Sequence, residues 1–169
     1  MTMSVAFAAC DWECQLNVCL PLFGHRNWIV VADSAYPAQS NPGIETVVAD
    51  EDQIHVVRRV HEAITASGHL RANLYADKEL GFVSEDDAPG ILKYKQELDA
   101  ALYGSNIQYL EHEKIIVKLD QSARIFRILV IKTNMAIPYT TVFFELHCGY
   151  WNDDADERLR HAISAADSR

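Results

Sequence analysis

Short runs of apolar residues alternate along the chain with longer segments in which apolar residues recur every three or four positions. The run Trp28–Ala32 is apolar throughout, which is typical of a strand buried on both faces. Runs rich in β-branched and aromatic residues predict further strands at residues 46–49, 70–76, 107–110, 125–131 and 140–146.

The helical periodicity predicts helices between these strands. They extend over residues 5–23, 50–68, 89–103 and 112–122. Glycines at the predicted ends of the second and third helices, Gly68 and Gly104, support these boundaries. Strands that alternate with helices predict an α/β fold, here a single-domain three-layer sandwich with a mostly parallel sheet.

We expect residues 1–151 to form this domain and residues 152–169 to form a charged C-terminal tail. The tail places Leu159 and Ile163 four positions apart, which predicts a surface helix.

The acidic balance of the chain narrows the range of partners. The 169 residues include 15 Lys and Arg against 24 Asp and Glu, for a formal net charge of −9. Because binding to phosphates depends on clustered Lys and Arg, we expect neither a nucleic-acid nor a membrane partner. The first residues lack a basic segment, and no stretch approaches the ~20 apolar residues of a membrane span. A cytoplasmic protein is therefore expected.

Several common motifs are missing from the chain. The four cysteines form no Cys-x-x-Cys pair, so a zinc site is unsupported and free thiols are expected. No Gly-x-Gly-x-x-Gly, phosphate-binding loop or Gly-x-Ser-x-Gly sequence occurs. A dinucleotide site and the α/β-hydrolase class are therefore unsupported as well.

The candidate chemistry lies at the two ends of the first strand. Asp33 follows the strand, and in α/β proteins ligands bind outside the carboxyl ends of parallel strands. His25 precedes the strand and carries the side chain best suited to proton transfer near neutral pH. The two residues share a cleft only if the chain folds back.

Three segments together resemble the family of D-ribose pyranase and L-fucose mutarotase (RbsD/FucU). They are Gly24-His25 with Asp33 and Tyr36-Pro37-Ala38, then Tyr109-Leu110-Glu111-His112-Glu113, then Ala136-Ile137-Pro138-Tyr139-Thr140-Thr141. They occur in the order found in the family and cover roughly residues 20–150. The resemblance implies an RbsD/FucU-like fold and interconversion of the anomers or ring forms of a monosaccharide of the fucose or ribose type, without a cofactor. It also implies a ring-shaped homo-oligomer, often a decamer, with the sugar site near a subunit contact.

The resemblance also implies roles for individual residues. His25 would act as general acid or base, and Asp33 would orient its imidazole or accept a hydrogen bond from a sugar hydroxyl. The remaining residues implied to contact the sugar are His112, Tyr139, Thr140 and Thr141, the last two through their backbone.

One departure from the family pattern leaves alternatives open. Thr141 occupies the position of a family asparagine, and a hydroxyl cannot replace both the donor and the acceptor of an amide. The main alternative is therefore a sugar-binding or regulatory protein without turnover. A weaker one is a lyase or isomerase that binds a metal through His and Asp or Glu.

Overall fold

A six-stranded sheet with helices on both faces forms the body of the protein. The computed structural model describes residues 11–167. The strands are β1 Trp28–Ala32, β2 Ile44–Val48, β3 Leu70–Asp77, β4 Ile107–Leu110, β5 Ile128–Lys132 and β6 Val142–Cys148. The helices are α1 Trp12–Cys19, α2 Gln53–Ala66, α3 Ile91–Ala101, α4 His112–Ala123 and α5 Asp153–Asp167, with a short 3-10 helix at Lys78–Phe82.

The strands are ordered β2-β5-β1-β6-β3-β4 across the sheet. β1, β2 and β5 are parallel to one another, as are β3 and β4, whereas β6 lies antiparallel between β1 and β3. This arrangement confirms the predicted mostly parallel sheet. Because β6 is antiparallel, its amino end lies beside the carboxyl ends of both neighbours.

The two faces of the sheet pack against different helices, which confirms the predicted three-layer sandwich. All five residues of β1 are completely buried. Ile29 and Val31 belong to the core shared with α1, α2 and α3. Val30 and Ala32 belong to a second core on the opposite face, which α4 covers. A central strand with both faces buried accounts for its uninterrupted apolar sequence.

Some predicted boundaries differ from those observed. The strand predicted from residue 125 begins at Ile128, because the Phe126 N–H donates to the Ser122 carbonyl in a turn after α4. The helix predicted over residues 5–23 is shorter in the structure. Asp11 caps α1 by accepting a hydrogen bond from the Cys14 N–H, and residues 5–10 lie outside the described part of the chain.

α5 is helical, as expected for the tail, and buries none of its residues. The division of the chain after residue 151 remains a prediction.

Cys19 and Cys148 are free thiols, whereas Cys14 is disulfide-bonded, so the expectation of free thiols is wrong for Cys14. No helix among residues 11–167 is long and apolar enough to cross a membrane.

Candidate functional site

A cavity of about 530 Å³ opens where β1 and β3 end and β6 begins. This volume lies within the usual range of small-molecule pockets, roughly 300–1,000 Å³. The pairing of Val31 with Val142 places the residues that follow β1 beside those that precede β6. The polar side chains that line the cavity include Asp33, Tyr36, Gln39, Asp77, His112, Glu113, Tyr139 and Thr141.

Asp33 lies at the edge of the sheet that the strand-end argument predicts. Its Oδ1 accepts a hydrogen bond from the Ala35 N–H at 2.9 Å, which fixes the turn after β1. Its Oδ2 accepts a hydrogen bond from the Thr141 hydroxyl at 3.2 Å. Thr141, where the family resemblance implies an asparagine, is thus a direct partner of Asp33.

His112 lines the same cavity and is held by a carboxylate from β3. Asp77 at the end of β3 is paired with Leu110 in β4, and His112 follows two residues later. The His112 Nδ1 lies 3.0 Å from Asp77 Oδ1. The backbone N–H of His112 also donates to both oxygens of Glu79, at 3.2 and 3.1 Å.

Two buried polar atoms at this cavity lack partners. Asp77 is 1% exposed, and its Oδ2 has no hydrogen-bond partner among the described residues. The hydroxyl of Tyr36 is also buried and has no hydrogen-bond partner in the described part of the chain. Among residues 11–167, every other buried side-chain N or O atom has a partner. Buried polar groups are nearly always paired, so exceptions require an explanation. That both line one cavity indicates a functional site.

Burial determines the titration of these two groups. Desolvation raises the pKa of the Asp77 carboxyl, and the contact with His112 opposes that rise. Desolvation, followed by the charges of Asp120 and Asp77, raises the pKa of the Tyr36 hydroxyl to about 12. Carboxyl groups with such shifts are concentrated at functional sites.

Tyr139 and Thr140 differ in their relation to the cavity. Tyr139 is 40% exposed, has a φ of 61° and places its ring 6.0 Å from the ring of His112. Positive φ is uncommon for a residue other than glycine and marks a constrained position.

Thr140 does not line the cavity. It is fully buried, its hydroxyl donates to the Ile137 carbonyl, and its own carbonyl accepts from the hydroxyl of Tyr94 at 2.6 Å and from the Gln53 amide. The expectation that the Thr140 backbone faces a sugar is therefore corrected.

His25 lies at the opposite end of β1. The adjacent Arg26 N–H donates to the Leu146 carbonyl, so the residue lies beside the end of β6. The five residues of β1 alone span roughly 16 Å at 3.3 Å per residue. His25 lines a second cavity, of about 780 Å³, that does not include Asp33. The chain does not fold back, so a His25–Asp33 pair within one chain is wrong.

The surroundings of His25 are polar and well connected. Desolvation, followed by the charges of His147 and Arg26, lowers the pKa of the exposed His25. The ring of His147 lies 4.9 Å from that of His25. The His147 Nε2 is 3.0 Å from the Asn73 amide nitrogen and 3.7 Å from Glu145 Oε2, which also accepts from Tyr75 at 2.8 Å. His147 and Tyr75 lower the pKa of Glu145 against its desolvation.

Sequence reasoning missed Asp77 and Tyr36 at the first cavity and His147 beside His25. The strand-end argument that selected Asp33 applies equally to Asp77, which directly follows the strand predicted at residues 70–76. The same argument applies to His147, which directly follows the strand predicted at residues 140–146, but β6 is antiparallel and therefore places it at the opposite edge of the sheet. Within residues 11–167, no group of three or more His, Cys, Asp or Glu side chains is arranged to hold a metal ion.

The fold and the site define an α/β domain with a small-molecule cavity at the carboxyl edge of its sheet. An imidazole and three carboxylates line that cavity. The chain belongs to the RbsD / FucU transport protein family, whose model matches residues 13–149. The family indicated by the three sequence segments is therefore confirmed.

Solved structures share this fold. Bacillus subtilis RbsD complexed with D-ribose is 18% identical, with a TM-score of 0.56 over 79% of this chain and 91% of that chain. The fucose mutarotase from Streptococcus pneumoniae in complex with L-fucose is 19% identical, with a TM-score of 0.52 over 79% of this chain and 91% of that chain. No curated protein sequence matches the chain. At these identities the likeness supports the fold alone.

Proposed function

We propose that the protein is a monosaccharide mutarotase or pyranase-like isomerase. The observation that carries this proposal is a cavity of about 530 Å³ lined by the His112 imidazole and the Asp33 carboxylate, with two unpartnered polar atoms beside them. Structural relatives bind D-ribose and L-fucose, which supports a sugar of similar size as the ligand.

The reaction requires only proton transfer. A base removes the proton of the anomeric hydroxyl, whose electron pair forms the carbonyl while the bond from the anomeric carbon to the ring oxygen breaks. An acid protonates the ring oxygen, and closure on the other face or from another hydroxyl reverses these steps. Each positioned acid or base typically contributes about 10²–10⁴-fold. Asp33, His112, Tyr139 and Thr141 would bind and orient the sugar.

His25 acts in this reaction only from a second copy of the chain, because it lines a different cavity from Asp33. We therefore propose a homo-oligomer, of the ring type that the family resemblance implies, in which the His25 end of one chain approaches the Asp33 cavity of another. The exposure of His25 at the surface of a single chain supports this arrangement.

The test of activity is NMR saturation transfer between sugar anomers. Fucose, ribose, galactose and glucose are each mixed with the protein, and the exchange rate is compared with that in buffer alone. We expect accelerated exchange for at least one sugar. Absence of acceleration for all four would contradict the proposed function.

A mixing experiment tests the role of the second copy. His25→Ala and Asp33→Ala chains are each expected to be inactive. When the two variants are denatured and refolded together, some assembled sites combine a native His25 with a native Asp33 and regain activity. The control mixture pairs His25→Ala with His25→Asn and regains none. Recovery equal to the control would show that the site does not combine residues from two chains.

The alternative function is sugar binding without turnover. It is favoured by the hydrogen bond from Thr141 to Asp33, which together with the Ala35 N–H engages both carboxylate oxygens. Calorimetry that detects sugar binding by a protein without exchange activity would support this alternative. Exchange that is lost in His25→Ala while binding persists would exclude it.

A further inference from the structure

Two carboxylates hold His112, one from the last residue of β3 and one from the 3-10 helix that follows it. Asp77 contacts the ring through Nδ1 at 3.0 Å, and Glu79 accepts from the backbone N–H with both oxygens. The second contact fixes the first turn of α4, where the four leading N–H groups otherwise lack partners. Because one carboxylate fixes the backbone and the other the ring, the imidazole has a defined orientation in the cavity.

A carboxylate that accepts a hydrogen bond from Nδ1 determines the tautomer of a histidine. The proton is kept on Nδ1, and Nε2 on the far side of the ring is left as a proton acceptor. The side chain of His112 is 32% exposed and lines the cavity, whereas that of Asp77 is 1% exposed. The nitrogen that remains for a ligand is therefore Nε2.

The burial of Asp77 is costly unless it serves such a purpose. Its second oxygen has no partner, although structural carboxylates in a protein interior are normally fully hydrogen-bonded. Desolvation raises the pKa of this carboxyl, so its charged form is disfavoured in the fold. An Asn or an apolar residue would avoid this cost, whereas only a carboxylate accepts strongly from Nδ1.

We propose that Asp77 is a positioning residue that fixes the tautomer of His112, so that His112 Nε2 takes the proton of the anomeric hydroxyl of a bound sugar. The proposal rests on the proposed function and assigns the base of that reaction. The proton moves from the hydroxyl oxygen to Nε2, the ring oxygen takes a proton from the imidazolium of His25 of a second copy as its bond to the anomeric carbon breaks, and ring closure returns both protons.

Two measurements on Asp77→Ala test the proposal. The first is long-range ¹H–¹⁵N NMR of the imidazole, which reports the tautomer of His112 without any substrate. We expect the Nδ1–H form in the wild-type protein and a shift to the Nε2–H form in the variant. The second is sugar exchange, for which we expect kcat to fall about 10²-fold through misorientation, with KM little changed.

Two further variants separate positioning from loss of structure. Asp77→Asn retains a carbonyl that can accept from Nδ1, and it is expected to restore part of the Nδ1–H form and part of the rate. Glu51→Gln changes the exposed carboxylate paired with His55 at 3.3 Å, lies outside both cavities, and is expected to change neither measurement.

The outcomes are distinguishable from failure of the proposed function. If the wild-type protein accelerates no sugar, the proposed function is wrong and the assignment of His112 as its base fails with it, even if the tautomer shifts. If the wild-type protein is active, an unchanged tautomer in Asp77→Ala overturns the positioning role. A changed tautomer with an unchanged rate overturns it equally.

Discussion

The two ends of β1 have cavities of different character. At the carboxyl end, the cavity contains two buried polar atoms without partners and an imidazole held by a buried carboxylate. At the amino end, the larger cavity is lined by His147 and Arg71, which already have polar partners. There Asn73 and Glu145 contact His147, and Arg71 pairs with Asp153 at 3.0 Å.

This difference indicates how the chain divides its proposed chemistry. Unpaired buried groups are costly in a free protein and gain partners when a ligand binds. The carboxyl end therefore has the character of a binding site, whereas the amino end presents an exposed histidine beside His147, whose ring already has polar partners. The residues implied by the family resemblance are distributed over both ends, which a single chain cannot bring together.

The largest expected effect is that of His25→Ala on sugar exchange. Loss of a general acid or base is expected to lower the rate about 10²–10⁴-fold. Sugar binding measured by calorimetry should persist, because the Asp33 cavity is unchanged. His55→Ala, which removes an exposed imidazole from α2, is the matched control and should retain full activity. A wild-type rate in His25→Ala would mean that the carboxyl end acts alone.

The pH dependence of exchange reports on His25 at the amino end of β1. Desolvation, His147 and Arg26 lower the pKa of His25 from its ordinary value of about 6.5. The neutral imidazole therefore persists to lower pH than in a free histidine. Because His25 of a second copy serves as the acid, its protonated form is required, and kcat/KM should fall as the pH rises, with a midpoint below 6.5. His147→Asn, which removes a charge that lowers this pKa, should move the midpoint upward. A midpoint at or above 6.5 in the wild-type protein would contradict this prediction.

The fold was more predictable than the site. β1 begins and ends at the predicted residues, because five successive apolar side chains suit only a strand buried on both faces. The antiparallel direction of β6 was not predicted, although a signal exists. Only residues 133–141 join β5 to β6, and a parallel connection needs a dozen or more residues.

The sequence indicated individual residues of the site but not how the fold arranges them in space. The strand-end argument located Asp33, because it depends only on where an apolar run stops. His25 lies eight residues away in sequence, yet an intervening extended strand separates the two side chains rather than pairing them. Asp77 and His112 meet because β3 and β4 are parallel neighbours, and strand pairing depends on contacts that no local pattern encodes.

A smaller effect is expected for Thr141→Val, which changes only the carboxyl end. Valine keeps the shape of the side chain but removes the hydroxyl that donates to Asp33 Oδ2 at 3.2 Å. A lost hydrogen bond to a charged group should weaken sugar binding by about 1–2 kcal/mol, measured by calorimetry. Thr46→Val, an exposed change on β2, is the control. Tighter binding in Thr141→Val would mean instead that Thr141 competes with the sugar for Asp33.

The smallest effect is that of truncating the chain after Asn152 on the free energy of unfolding. This truncation removes α5, which forms one wall of the cavity at the amino end of β1. α5 buries none of its residues, and the side chain of Asp153, which pairs with Arg71, is 95% exposed. Exposed ion pairs contribute about 0–1 kcal/mol, so the free energy of unfolding should fall by no more than about 1 kcal/mol in denaturant titrations. Asp153→Asn in the full-length chain should reproduce the part that the ion pair contributes, because it leaves the hydrogen bond from Arg71 to the Cys148 carbonyl in place. A loss above about 2 kcal/mol would show that α5 is an integral part of the domain, because exposed ion pairs cannot account for it.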